Sequence, residues 1–248
     1  MSALTVQLGS CRATRMLAVA TLLVAAAAVV GALLAEAGPD RGWLWLHWFG
    51  KPAATALIWL LAWRARPAQS SRYRHWVLIG IACSLVGDVF LMLPGDLFVA
   101  GLLAFLVAHV CFIRAFLSDS RFAQLPLPWL GCLAFGAVNL MLLWNAIPTP
   151  LRIPVIAYVL VLAGMGGQAL VRVRLFAQRR DPQTPAARLA ALGALTFMLS
   201  DSVLAWNRFD GPVPLASLWV LSAYYLSLWW IARSVQRVDT TSEVATAA

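Results

Sequence analysis

Apolar runs of about 20 residues recur along this chain, and that repetition restricts the fold more than any motif does. Each run can cross ~30 Å of hydrocarbon at 1.5 Å per residue. The runs predict eight transmembrane helices, at about 16–34, 51–63, 76–93, 97–116, 127–144, 153–171, 189–206 and 215–231. The second is expected to begin before Lys51, because its apolar part is short and Trp43, Trp45 and Trp48 suit the membrane interface. The expectation is an all-α polytopic membrane helix bundle. It forms one transmembrane domain over 1–248, with disordered tails at about 1–12 and 238–248.

Composition closes off the soluble alternatives. Of 248 residues, 62% are hydrophobic and 12% charged, about half the charge that covers a water-facing surface. The net charge of +9 could suggest nucleic acid, but the basic residues lie in short loops and form neither a basic domain nor a reading motif. Their placement reads as topology. Arg12, Arg15, Arg64, Arg66, Arg72, Arg74, Arg114, Arg121, Arg172, Arg174, Arg179, Arg180, Arg188, Arg233 and Arg237 fall on one side, 15 of the 19 basic residues. Arg41, Lys51, Arg152 and Arg208 fall on the other. The positive-inside rule then puts both termini in the cytoplasm, as an even helix count requires, in a multi-pass protein of the bacterial inner (cytoplasmic) membrane. Ala35-Glu36-Ala37 resembles a signal-peptidase site, but the apolar stretch before it exceeds a signal h-region, so the first helix reads as retained. Cys11, Cys83, Cys111 and Cys132 are scattered and read as small hydrophobes.

Two acidic residues stand out. Asp88 and Asp201 are the acids that fall inside apolar helices, where a carboxylate costs ~2.5–3.5 kcal/mol on insertion scales and faces a bundle interior or a wet cavity. They occupy matching patterns, Gly87-Asp88-x-x-Leu91 and Ser200-Asp201-x-x-Leu204, four helices apart, which hints at a 4+4 parallel repeat. Each lies about five residues before an extracytoplasmic helix end, so both are expected at equal depth, roughly 7–8 Å below that surface, and in one cavity if the helices are neighbours. Two carboxyls in one such cavity divide their labour: one keeps a proton to donate, while the other stabilises a cation or activates water. The bland reading is that each Asp hydrogen-bonds a neighbouring helix, with Ser84 and Ser200 at hand.

Other polar residues carry paired readings. Lys51, followed by Pro52, reads as the opening of a helix; it would hold a lipid phosphate, pair with an Asp, or snorkel to the interface. Arg208 shares those readings. His109 is a core histidine or part of a site, without a second His or Cys to form a metal set. Asn139, Tyr158 and Tyr224, with Tyr225, are interhelical glue or cavity lining. The Gly164-Met165-Gly166-Gly167 cluster packs helices within or between chains, leaving the oligomeric state open.

Lys51-Pro52, the run Ser84-Leu85-Val86-Gly87-Asp88-Val89-Phe90-Leu91-Met92, His109, and Leu199-Ser200-Asp201-Ser202-Val203-Leu204-Ala205 through Phe209 together resemble the YhhN family of eight-helix membrane proteins. The resemblance implies a lysoplasmalogenase-like hydrolase. It would cleave the vinyl ether bond of a lysophospholipid to a fatty aldehyde and a glycerophospho-alcohol, in the bilayer, without a cofactor or nucleic acid. It implies Asp88 and Asp201 as the acidic pair and Lys51 as the family's early lysine. Ala108 and Phe112 stand where Gly and Tyr are expected around His109, and Ser227 and Leu228 stand where a Gln is expected after Tyr224.

Two other classes compete. A non-enzymatic lipid or small-molecule transporter could use the same buried acids, but transport favours midplane sites and broken helices. An intramembrane aspartyl protease also needs two membrane aspartates, yet Leu85-Val86-Gly87 precedes Asp88 and the GxGD signature is missing.

Overall fold

A computed structural model describes residues 3–37 and 41–238, with side chains from 13–36 and 42–238. Among these residues there are eight α-helices and no strand: α1 Ala3–Ala37, α2 Leu44–Arg64, α3 Ser71–Met92, α4 Phe98–Phe116, α5 Pro126–Leu143, α6 Arg152–Gln178, α7 Thr184–Phe209 and α8 Ala216–Arg233. Of the expected tails, Val238 is the one residue whose side chain is described; the others lie outside that set.

Local chemistry sets the helix starts. Ser70 caps α3 by accepting the Tyr73 amide at 3.0 Å, and prolines open α5 and α7, where a missing N–H leaves no bond unmade. Six helices are long and apolar enough to cross a membrane: 13–36 of α1, then α3, α4, α5, α6 with the turn before it, and α7. The protein is a multi-pass integral membrane protein. The remaining helices, α2 and α8, are not among these six; they carry His47 and Lys51 in one and Ser217, Ser222, Tyr224, Tyr225 and Ser227 in the other.

Two boundaries correct the sequence reading. Helix α2 begins at Leu44, before Lys51 as expected from its short apolar part, so Lys51 and Pro52 lie inside it and the reading of Lys51 as a helix opening falls. Helix α6 continues to Gln178, which turns Arg172 from a loop charge into a buried one. The reason is pairing. Arg172 donates to Asp119 from Nε at 2.8 Å and Nη2 at 2.7 Å and to Gln69 at 2.5 Å, and it packs over the rings of Tyr73 and Phe176. A buried ion of this kind persists only when partners surround it. Next to it, Tyr73 shares a 2.7 Å hydrogen bond with Ser234, and Arg237 N–H donates to the Pro67 carbonyl at 2.8 Å. These bonds staple the segment after α8 to the α2–α3 loop.

Successive helices pack on one another except α4 and α5, α4 packing on α6 instead, and α8 returns to pack on α1 and α2. Two small-residue contacts set the spacing. A Cβ on Gly193 of α7 would lie 2.6 Å from the Ser227 carbonyl oxygen, so α7 and α8 meet backbone to backbone. Gly164 and Gly167 receive Trp129, and Gly166 receives Met198 and Cys132, so the glycine cluster of α6 packs within this chain.

Candidate active site

The two intramembrane aspartates sit in separate polar clusters. Asp88 is fully buried on α3. Its Oδ1 lies 3.2 Å from Lys51 Nζ, and its Oδ2 accepts from Thr55 Oγ1 at 2.7 Å and Tyr224 OH at 2.7 Å. Both α2 donors follow from helical spacing, since Thr55 is one turn after Lys51. Lys51 is 7% exposed. Of its three sequence readings, pairing with an Asp holds and snorkelling does not.

Asp201 is differently supported. Its Oδ2 accepts from Tyr158 OH of α6 at 2.6 Å and lies 3.9 Å from His109 Nε2 of α4. His109 is wholly buried and, among the described residues, neither ring nitrogen has a hydrogen-bond partner. The Asp201 side chain keeps 12% exposure, whereas that of Asp88 keeps 1%.

Aromatic rings bridge the clusters. Phe197, four residues before Asp201, packs edge-on against His109 at 4.6 Å and Tyr224 at 5.6 Å, and Phe105 packs against Phe197 and Tyr224 at 6.1 and 5.9 Å. The carboxylates share no hydrogen bond. The shared cavity was expected only if α3 and α7 are neighbours, and they are not in contact: Asp88 turns toward α2 and α8, and Asp201 toward α4 and α6. The expected equal depth changes too. Asp88 lies four residues before the end of α3 and Asp201 eight before the end of α7, about 6 and 12 Å along the axis.

Two adjoining hollows reach this region. The first is an apolar crevice of about 80 Å³ between α4, α5, α6 and α7, with Tyr158, Met198 and Asp201 in its wall and Phe98, Ile147 and Phe209 toward its outer end. Asn139 also lines it and accepts from Trp206 Nε1 at 3.0 Å, joining α5 to α7 as expected of interhelical glue. The second is a mouth of about 450 Å³ where α2 meets the α3–α4 and α7–α8 turns. Its wall holds His47, Lys51, Asp96, Asn207, Arg208 and Ser217, and it shares Leu91, Phe98 and Leu204 with the crevice. Arg208 pairs with Asp96 at 2.6 Å there.

The two serines do other work. Ser84 donates to the Gly80 carbonyl of its own helix at 3.1 Å, and Ser200 donates to Val220 of α8 at 2.9 Å; neither bonds an aspartate. Sequence reasoning missed Thr55, Phe105, Phe197, Asp119 and Gln69. The i+4 spacing from Lys51 to Thr55, and the one-turn spacing of Phe105 to His109 and Phe197 to Asp201, were the available signals.

Residues 46–235, from α2 to the end of α8 and containing both clusters, match the model of the YhhN family. The chain belongs to the YhhN family. Within it, this YhhN protein is 33% identical over 187 residues to the lysoplasmalogenase TMEM86B of Sus scrofa, covering 75% of this chain and 73% of that protein. It is 32% identical over 197 residues to the Homo sapiens lysoplasmalogenase TMEM86B, covering 77% of each. The YhhN membrane protein of Escherichia coli O157:H7 is 27% identical over 197 residues, 79% of this chain and 89% of that one. No solved structure matches this YhhN chain.

Proposed function

We propose that this protein is a membrane hydrolase that cleaves the vinyl ether bond of a lysoplasmalogen-type lysophospholipid, giving a fatty aldehyde and a glycerophospho-alcohol. One observation carries the reading: a cation-bearing mouth and an apolar crevice meet at Leu91, Phe98 and Leu204, with Asp201 in the crevice wall. A single-chain phospholipid has that division, a charged head beside one hydrocarbon tail. Kinship to two lysoplasmalogenases supports the bond class.

In this reading the phosphate sits against Lys51 and Arg208 and the alkenyl chain enters the crevice. Tyr158 occupies Oδ2 of Asp201, so the acid presents its proton from Oδ1. That proton passes to the β-carbon of the vinyl ether, leaving an oxocarbenium ion. Water from the mouth adds to the cation, its proton returns to Asp201, and the hemiacetal collapses to aldehyde and alcohol. Asp88, its charge balanced by Lys51, holds Tyr224 at the aromatic bridge and orients the entering water. The two acids thus act from two clusters.

The same reading extends to architecture. All eight helices span the membrane, both termini lie in the cytoplasm of a bacterial cell, and the chain is a 4+4 repeat. Supporting the repeat, Asp88 takes partners from α2 and α8, while Asp201 takes them from the corresponding helices α6 and α4.

The test is turnover of a vinyl ether lysolipid by purified protein in nanodiscs, read as aldehyde by mass spectrometry. Wild type is expected to release aldehyde and Asp201→Asn to release none while remaining extractable and folded. Wild-type protein that carries the lipid into vesicles without cleaving it would replace the hydrolase with a transporter.

A further inference from the structure

The chemistry described so far gives His109 no task, yet its surroundings are unusual. It is fully buried on α4, with Tyr158 at 5.2 Å and Phe197 at 4.6 Å packed edge-on against its ring. Among the described residues both ring nitrogens lack a hydrogen-bond partner. A polar group buried in that state is destabilising, and an apolar side chain would fill the space without the penalty. Its Nε2 nevertheless points to within 3.9 Å of Asp201 Oδ2. That separation is about 1 Å beyond an N–H···O bond.

We propose that His109 is a positioning residue for Asp201, a donor that is idle while the acid holds its proton and engages once the proton has left. The inference rests on the hydrolase reading. When Asp201 protonates the β-carbon, a carboxylate forms in an apolar crevice with the Tyr158 hydroxyl as its one hydrogen-bond donor. In its Nε2–H tautomer, His109 supplies a second donor after a small rotation of either side chain. Apo hydrogen bonds at catalytic groups are often long and tighten as the reaction proceeds. A donor that engages only as charge develops lowers the barrier without tightening substrate binding. No bond to His109 is made or broken: the proton moves from Asp201 to carbon and returns from the attacking water.

His109→Phe and His109→Gln separate this role from packing. His109→Phe removes the donor and fills the space; His109→Gln keeps an N–H. Expected for His109→Phe is a kcat about 10²-fold lower, the loss typical of one missing charge-stabilising donor, with KM within about twofold and a melting temperature no lower than wild type. His109→Gln is expected to recover most of that loss. Infrared spectroscopy gives a second readout. The carboxylate band that forms when raised pH ionises Asp201, assigned by its absence in Asp201→Asn, is expected to shift in His109→Phe and to return in His109→Gln. A wild-type kcat in His109→Phe, or an unshifted band, overturns the proposal. Should wild-type protein release no aldehyde, the hydrolase reading falls and the infrared band alone decides whether His109 serves Asp201.

Discussion

Asp88 and Asp201 sit in matching motifs on α3 and α7, and the protein surrounds them in opposite ways. Asp88 has a lysine, a threonine and a tyrosine, and its side chain is 1% exposed. Asp201 has one tyrosine donor, an unengaged histidine and an open side toward the crevice. A carboxylate whose charge is balanced and whose oxygens are occupied is fixed in one state. One with a single donor and access to a ligand can change state during a reaction. The comparison teaches that matching motifs do not mean equal chemistry; the partners and the access decide it.

The comparison breaks most readily at the acids themselves. Asp201→Asn is expected to abolish aldehyde release, at least 10³-fold, with little change in thermal unfolding. Asp88→Asn strands Lys51 as an unpaired buried cation, and is expected to destabilise the fold by about 3–5 kcal/mol. The double variant Lys51→Met/Asp88→Leu is expected to recover that stability, measured by melting in nanodiscs, because an apolar pair replaces a buried ion pair at little cost. Equal stability loss from Asp88→Asn and Asp201→Asn would erase the distinction. Next come the tyrosines. Tyr158→Phe removes the lone donor to Asp201 and is expected to lower kcat about 10²-fold. Tyr224→Phe leaves Asp88 with two partners and is expected to cost about 1.5–3 kcal/mol of stability, the range for a hydrogen bond to a charged group. The smallest effect belongs to the mouth. Arg208 and Asp96 are 40% and 69% exposed at the side chain, so Arg208→Gln is expected to change stability by no more than about 1 kcal/mol. Its signature is a raised KM for a phosphate-bearing lipid at low salt, fading as salt rises.

Much of this was legible in the sequence. Eight apolar or semi-apolar runs give eight helices in place, and acids in such runs are conspicuous because lipid penalises them. The pairing of Lys51 with an Asp is one of the readings its sequence position offers, and Asp88 is the partner. What the sequence hid was direction. In a span that is apolar on all sides, periodicity does not tell which face turns inward, so the opposed facing of Asp88 and Asp201 could not be read. Arg172 misled for a related reason: a charge after an apolar run looks like a helix end, and its partners Asp119 and Gln69 lie 53 and 103 residues away. Phe105 and Phe197 were hidden among other apolar residues, although each lies one turn before a residue already singled out.

The backbone contact at Gly193 has a consequence for how the two clusters behave together. Helix α7 carries Asp201 and helix α8 carries Tyr224, the ligand of Asp88. With a carbonyl of one helix wedged against the Cα of the other, neither can slide or rotate alone. The two clusters are geared: a side chain added at position 193 throws both out of mesh in a single stroke, even though it touches neither acid.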